Sequence, residues 1–217
     1  MYGVEIVANT IGEAWEQSIE ALLDNSLPLG YTQRGERARE LLGVQLVVAH
    51  PLDEPIIPKT YLFGNLFIED YCNNILCASN GGPSINSRIV KKRQIESTPN
   101  DQIKKVVNLL KKEPNSRRAL ICLWNAENDI SSHHPPCACT IQFLIRGGRL
   151  DTIAYFRSND SWMAALPDMI AITKLSQIIS NKINISIGKY IHFAASYHLY
   201  EPDIVPALYA FERYQDA

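Results

Sequence analysis

Two consecutive prolines, Pro135-Pro136, constrain this chain more than any other feature; they sit between His133-His134 and Cys137-Ala138-Cys139. Each proline fixes its own φ, and the residue before a proline is pushed out of helical space. The thiol of Cys137 is therefore carried by a stiffened segment, just ahead of a strand-like run from Thr140 to Ile145. An arginine follows on the next run, in Tyr155-Phe156-Arg157-Ser158-Asn159-Asp160. A thiol on a rigid mount with a guanidinium close by is one way to build a low-pKa nucleophile beside an anion. The competing reading is a buried cysteine in a proline turn.

The rest of the chain alternates unevenly between strand and helix patterns. Residues 1–7 read as a first strand, and Thr10-Ile11-Gly12-Glu13 is a capping box. Behind it Ile11, Ala14, Trp15, Ile19, Leu22 and Leu23 form an apolar stripe ending near Asn25. Tyr31 to Arg37 is a polar loop, Gly43 to Ala49 a strand, and the prolines between Pro51 and Pro58 exclude regular structure there. Leu66 to Leu76 reads as a helix carrying Glu69 and Asp70, followed by a Gly/Asn-rich loop over Ser79–Ser84. A helix capped by Asn100 or Asp101 runs to Lys112, and a strand covers Ala119 to Trp124. Gly147-Gly148 joins two strands as a hairpin. A helix over Asp168–Ser180 and strands at Ile185–Ile187 and Tyr190–His198 complete the pattern. The expectation is one mixed α/β (α+β) domain over residues 1–217, a mixed sheet with helices packed on it.

At 217 residues the chain can bury one sizeable core. A net charge of −2 gives no basic stripe for nucleic acid or a membrane surface. No run is long enough to span a bilayer, and no leader opens the chain. Five cysteines without a framework pattern indicate reduced thiols and a cytoplasmic location.

Taken in order, Ser116-Arg117-Arg118, Trp124-Asn125, Pro135-Pro136-Cys137 with Gln142-Phe143, Arg157-Ser158-x-Asp160, Leu166-Pro167, His192 and His198-x-Tyr200 resemble the thymidylate synthase superfamily. The resemblance is firm from about Asp101 to Tyr200 and loose before it. It implies a homodimer that dimerises through its sheet, binds a nucleotide monophosphate and uses 5,10-methylenetetrahydrofolate, with no metal. Carried over, Cys137 is the nucleophile on C6 of the pyrimidine. Arg157, Ser158 and Arg34 hold the phosphate, joined by Arg117 and Arg118 of the other subunit. His198 and Tyr200, both on one face of a strand, bind the sugar hydroxyl. Asp160 meets the pterin ring. Glu69 is the candidate for the family's water-organising glutamate, with Asp70 and Glu54 as alternatives.

The resemblance also carries a departure. Members acting on uracil have asparagine eleven residues after the phosphate arginine, and here that position is Asp168. An amide's acceptor and donors suit uracil's N3–H and O4, whereas a carboxyl suits cytosine's amino group and, when protonated, its N3. The same substitution marks the deoxycytidylate and cytidylate hydroxymethylases. The chain therefore reads as a C5 hydroxymethyltransferase acting on dCMP or CMP. Its end, Tyr214 to Ala217, lacks the apolar tail of thymidylate synthases and is expected to leave a wetter pocket. The competing reading of Asp168 is a plain helix N-cap. Other departures are Ala138 for histidine, Phe156 for glutamine, Ser196 for aspartate, and Ala126 for proline. Three rivals remain: a short archaeal-type thymidylate synthase on dUMP, a catalytically silent nucleotide-binding paralogue, and a zinc site at His133, His134, Cys137 and Cys139. Diverging histidines and a lone C-x-C spacing argue against the zinc. A papain-like hydrolase is disfavoured because its local signature around the cysteine is lacking.

Overall fold

The computed structural model describes residues 2–32, 35–77 and 102–212. Strand β1 (Tyr2–Ala8) leads to helix α1 (Ile11–Asn25), then strands β2 (Leu27–Tyr31) and β3 (Arg37–Val48) and helix α2 (Gly64–Cys77). After residue 101 come helix α3 (Gln102–Lys112), strand β4 (Leu120–Cys122), a single turn α4 (Ala126–Asp129), and strands β5 (Ala138–Arg146), β6 (Arg149–Phe156) and β7 (Asn159–Asp160). Helix α5 (Ala165–Ile183), strand β8 (Ser186–Tyr200) and helix α6 (Glu201–Ala210) follow. The strands form one mixed sheet ordered β1-β3-β8-β6-β5-β4, with β2 beside β3 and β7 beside β8. The mixed architecture with helices packed on the sheet is the one expected.

The capping box forms as read: the Thr10 hydroxyl accepts from the Glu13 amide at 3.2 Å, and the Glu13 carboxylate accepts from Thr10 N–H. Such a cap stabilises a helix by about 1 kcal/mol. Trp15, fully buried, packs in a tilted contact with Trp162, ring centres 5.5 Å apart, and donates its indole N–H to the Ser161 carbonyl at 2.7 Å. The first helix is thereby tied to the segment between β7 and α5. Gly12 donates its amide to Pro55 at 3.0 Å, and a Cβ there would meet that carbonyl oxygen, so the proline-rich loop seats on a residue that has no side chain.

Several boundaries differ from the sequence expectation. β3 starts at Arg37, not Gly43, because its first residues pair both with β2 and with the end of β8. β2 carries Pro28 and Gly30 and is exposed along its length, so it has no apolar alternation. β8 is one strand instead of two, since at Gly188 the Asp151 carboxylate occupies the space a side chain would need and accepts from Lys189 N–H at 2.8 Å. β4 is shorter than Ala119–Trp124. α6, not foreseen, tolerates Pro202 in its first turn and carries Pro206 inside. The hairpin at Gly147-Gly148 appears as expected, with φ +54° and +73°, values that favour glycine. The loop over Ser79–Ser84, the cap at Asn100 or Asp101, and Tyr214–Ala217 lie outside the described residues.

Candidate active site

Antiparallel pairing of β5 and β6 puts the start of one beside the end of the other, with Ala138 opposite Phe156 and Arg157 N–H donating to the Cys137 carbonyl at 3.0 Å. The Pro-Pro-Cys mount and the Arg-Ser pair are therefore neighbours through the sheet, although twenty residues separate them. Arg157 clamps the mount: Nε donates to the Pro136 carbonyl and Nη2 to the Pro135 carbonyl, each at 3.0 Å. Its Nη1 reaches Ser158 Oγ at 3.4 Å, and its guanidinium lies 5.8 Å from the Trp124 ring centre. The Ser158 hydroxyl points at the Cys137 sulfur, 3.9 Å away.

These residues line a cavity of about 520 Å³, within the range of small-molecule sites. Cys137, Arg157, Ser158, Asp160, Asp168, His198 and Tyr200 all face it. His198 and Tyr200 come from one side of β8, as their spacing requires, with ring centres 5.0 Å apart. The Asp160 carboxylate accepts from the amides of Trp162 and Met163, which fixes the turn into α5.

Asp168 is not the N-cap of α5, because that position is Ala164, which makes no side-chain cap bond. Its carboxyl, 6 % exposed, turns into the cavity wall. There it accepts from Tyr71 OH on Oδ1 at 2.9 Å and from Asn159 Nδ2 on Oδ2 at 2.8 Å. Burial pushes its pKa up to about 7; the two hydrogen bonds act against that rise, and the charge of Asp160 adds to it. Asn159 in turn meets His192 Nε2 through Oδ1 at 3.0 Å, and His192 Nδ1 meets Tyr190 OH at 2.9 Å. His192 is fully buried under Phe156, ring centres 4.4 Å apart, and burial depresses its pKa to about 3, so it is neutral.

Not every expected residue joins the cavity. Glu69 and Asp70 lie on the exposed side of α2 and do not line it, and Glu54 is exposed in the proline loop, bonded to the Ile56 amide. The residue that α2 presents to the site is Tyr71. Tyr71 carries a phenol, not a carboxylate, and nothing in its local sequence marks it as facing the site. Arg117 and Arg118 are exposed and outside their own chain's cavity, Arg118 in an ion pair with Glu113 at 2.5 Å. Arg34 lies outside the described residues. His133 and His134 do line the cavity, but no group of three or more His, Cys, Asp or Glu among the described residues is placed to hold a metal ion. Ser196, in place of the family's aspartate, faces the cavity and donates to Glu40 at 2.5 Å.

A family model described as thymidylate synthase matches residues 79–216. The chain belongs to the thymidylate synthase family. A protein of Methanocaldococcus jannaschii named "Putative thymidylate synthase" is 31% identical over 178 residues, 78% of each chain. Proteins given the same name in Methanothermobacter thermautotrophicus and Methanothermobacter marburgensis are 24% identical over 216 and 213 residues, covering more than nine-tenths of each chain. The family consists of one-carbon transferases that act at C5 of a pyrimidine nucleoside monophosphate, use methylenetetrahydrofolate as co-substrate and are typically dimeric. The cavity suits such substrates: a thiol, a guanidinium and a carboxyl with a raised pKa converge on one open volume. No described helix is long and apolar enough to cross a membrane.

Proposed function

We propose that this member transfers its one-carbon unit to a cytosine nucleotide, dCMP or CMP, and releases the 5-hydroxymethyl product. The carrying observation is the Asp168 carboxyl, held at the wall of the cavity that also holds Cys137, with a pKa near 7. A carboxyl poised at that pKa accepts from the cytosine amino group when ionised and donates to N3 when protonated. Uracil would set O4 against a carboxylate, a mismatch worth a factor of roughly 10⁴ in a buried site.

In this reading the Cys137 thiolate adds to C6 while Asp168 supplies the proton that N3 then needs. C5 becomes nucleophilic and takes the methylene that the folate co-substrate supplies. Loss of the C5 proton together with departure of tetrahydrofolate leaves an exocyclic methylene; water then adds to it, and the N3 proton returns to Asp168 as Cys137 leaves C6. Arg157 and Ser158 bind the phosphate, with Arg34; His198 and Tyr200 take the sugar hydroxyl, and Asp160 the pterin. Arg117 and Arg118, exposed on their own subunit, reach the partner's phosphate site in a homodimer. Among the described residues Cys72, Cys122, Cys137 and Cys139 form no disulfide, which fits a reducing, cytoplasmic setting. Because Glu69 is exposed, Asp168 with Tyr71 is the better supported proton-handling pair.

The names of the relatives favour a second reading, a thymidylate synthase acting on dUMP. Tritium release from C5-labelled dCMP and dUMP with methylenetetrahydrofolate, followed by product identification, separates the two. Release from dCMP with a hydroxymethyl product is expected; release from dUMP with a methyl product would overturn the proposal. No release from either would make the chain a silent nucleotide-binding paralogue.

A further inference from the structure

The hydrogen bonds behind Asp168 run in one direction, and that direction follows from chemistry. An ionised carboxylate only accepts, so Asn159 must turn its NH₂ toward Asp168 Oδ2. Its Oδ1 then faces His192 Nε2, which must carry the hydrogen, leaving Nδ1 to accept from Tyr190 OH. All three supporting side chains are buried: Tyr190 on β8 is 1 % exposed, His192 and Asn159 0 %. His192 is pinned further by its stack on Phe156. A chain Tyr190, His192, Asn159 thus ends on one oxygen of Asp168, while the other oxygen meets a hydroxyl that can turn, Tyr71 OH.

We propose that Asn159 and His192 are positioning residues which reserve Oδ2 of Asp168 as an acceptor and so confine the carboxyl's proton to Oδ1, beside Tyr71 and the base. This deepens the reading of Asp168 as the residue that meets the base, and rests on it. While Asp168 is ionised, Tyr71 donates to Oδ1; once Asp168 is protonated, the Oδ1 proton points to Tyr71 or to the ring nitrogen. Proton and base edge are then always on the same side of the carboxyl. A carboxyl free to rotate would lose that registration in half of its orientations.

The groups that face Asp168 are Tyr71 of α2 and Asn159 and Asp160 of β7. Tyr61, Cys72, Tyr190 and Tyr197 also feel its charge, and Lys174 lies beside Cys72. Of these, Tyr71 and Asn159 stabilise the ionised form by hydrogen bonds, so losing the Asn159 donor raises the Asp168 pKa.

The test is a carbon-13 NMR titration of the Asp168 carboxyl in the nucleotide-free enzyme, assigned with Asp168→Asn, together with C5 tritium release. His192→Phe keeps the stack on Phe156 and removes the donor to Asn159, whereas His192→Gln can keep a donor there. The Asp168 midpoint is expected to rise by about one pH unit in His192→Phe and in Asn159→Ala, and to stay near the wild-type value in His192→Gln. kcat should fall about tenfold or more in the first two with KM for the nucleotide little changed. Should His192→Phe fail to fold, Asn159→Ala and Tyr190→Phe give the same reading, Tyr190→Phe with a smaller rise. Unchanged midpoints in folded His192→Phe, Asn159→Ala or Tyr190→Phe overturn the proposal. Because the titration is read without nucleotide, a wild-type preference for dUMP would sink the base assignment without moving the midpoints, so the two failures are distinguishable.

Discussion

Replacing Asp168 by asparagine tests both the energetics and the chemistry of the site. The substitution is sterically neutral, and its hydrogen bonds can be satisfied: Oδ1 accepts from Asn159 Nδ2, and the new NH₂ donates to a Tyr71 hydroxyl that rotates to accept. The variant therefore folds. Its stability should exceed the wild type's at alkaline pH, because proton linkage costs the wild type stability there. Burial raises the Asp168 pKa from 3.8 to about 7, so between those values the folded state binds more protons than the unfolded state. Wild-type stability thus falls as pH rises from about 4 to 7 and levels off above. A difference of about 3 pH units corresponds to about 4 kcal/mol, absent in Asp168→Asn. For a chain of this size that is on the order of 10 °C in Tm at pH 8, and near zero at pH 4. In the same variant tritium release from dCMP should fall by at least ~10², while release from dUMP rises. Differential scanning calorimetry from pH 4 to 8 and the release assay read the two effects. Parallel Tm profiles for wild type and variant would refute the buried-carboxyl argument. An unchanged preference for dCMP would refute the base argument.

Arg157→Lys should lower both stability and rate, because a lysine cannot hold the Pro135 and Pro136 carbonyls together. About 2 kcal/mol, or roughly 5 °C in Tm, and a ~10²-fold loss in kcat are expected, measured by thermal melts and tritium release. Arg117→Ala or Arg118→Ala should abolish activity in the homodimer, yet mixing the Arg118→Ala chain with an inactive Cys137→Ser chain should restore it. Restoration requires the heterodimer to contain one intact site; its absence, with dimers present by sedimentation, would place Arg118 elsewhere.

Much of the site was legible because its residues lie in short local patterns. Pro135-Pro136-Cys137, Arg157-Ser158 and His198-x-Tyr200 each sit at a strand end, and sheet pairing alone gathers them. The capping box at Thr10 and the turn at Gly147-Gly148 were equally local. What escaped was set by distant contacts. β2 lacks an apolar alternation because both of its faces are exposed. Tyr71 acquires its role only when α2 packs on α5, and Asn159 and His192 become partners only when β7 and β8 lie side by side. Glu69 is a carboxylate in the expected stretch, but helical spacing turns it to the exposed side while Tyr71 faces the cavity. The N-cap reading of Asp168 failed because α5 begins at Ala165, a turn earlier than its apolar spacing indicated.

The choice of base is tested most directly by the mass of the Cys137 peptide after incubation with methylenetetrahydrofolate and either 5-fluoro-dCMP or 5-fluoro-dUMP. Fluorine takes the place of the C5 hydrogen and cannot leave as a cation, so the elimination stops and the adduct between sulfur and C6 persists. A stable adduct formed preferentially with the fluorocytosine nucleotide is predicted. Its formation with the fluorouracil nucleotide alone would contradict the account.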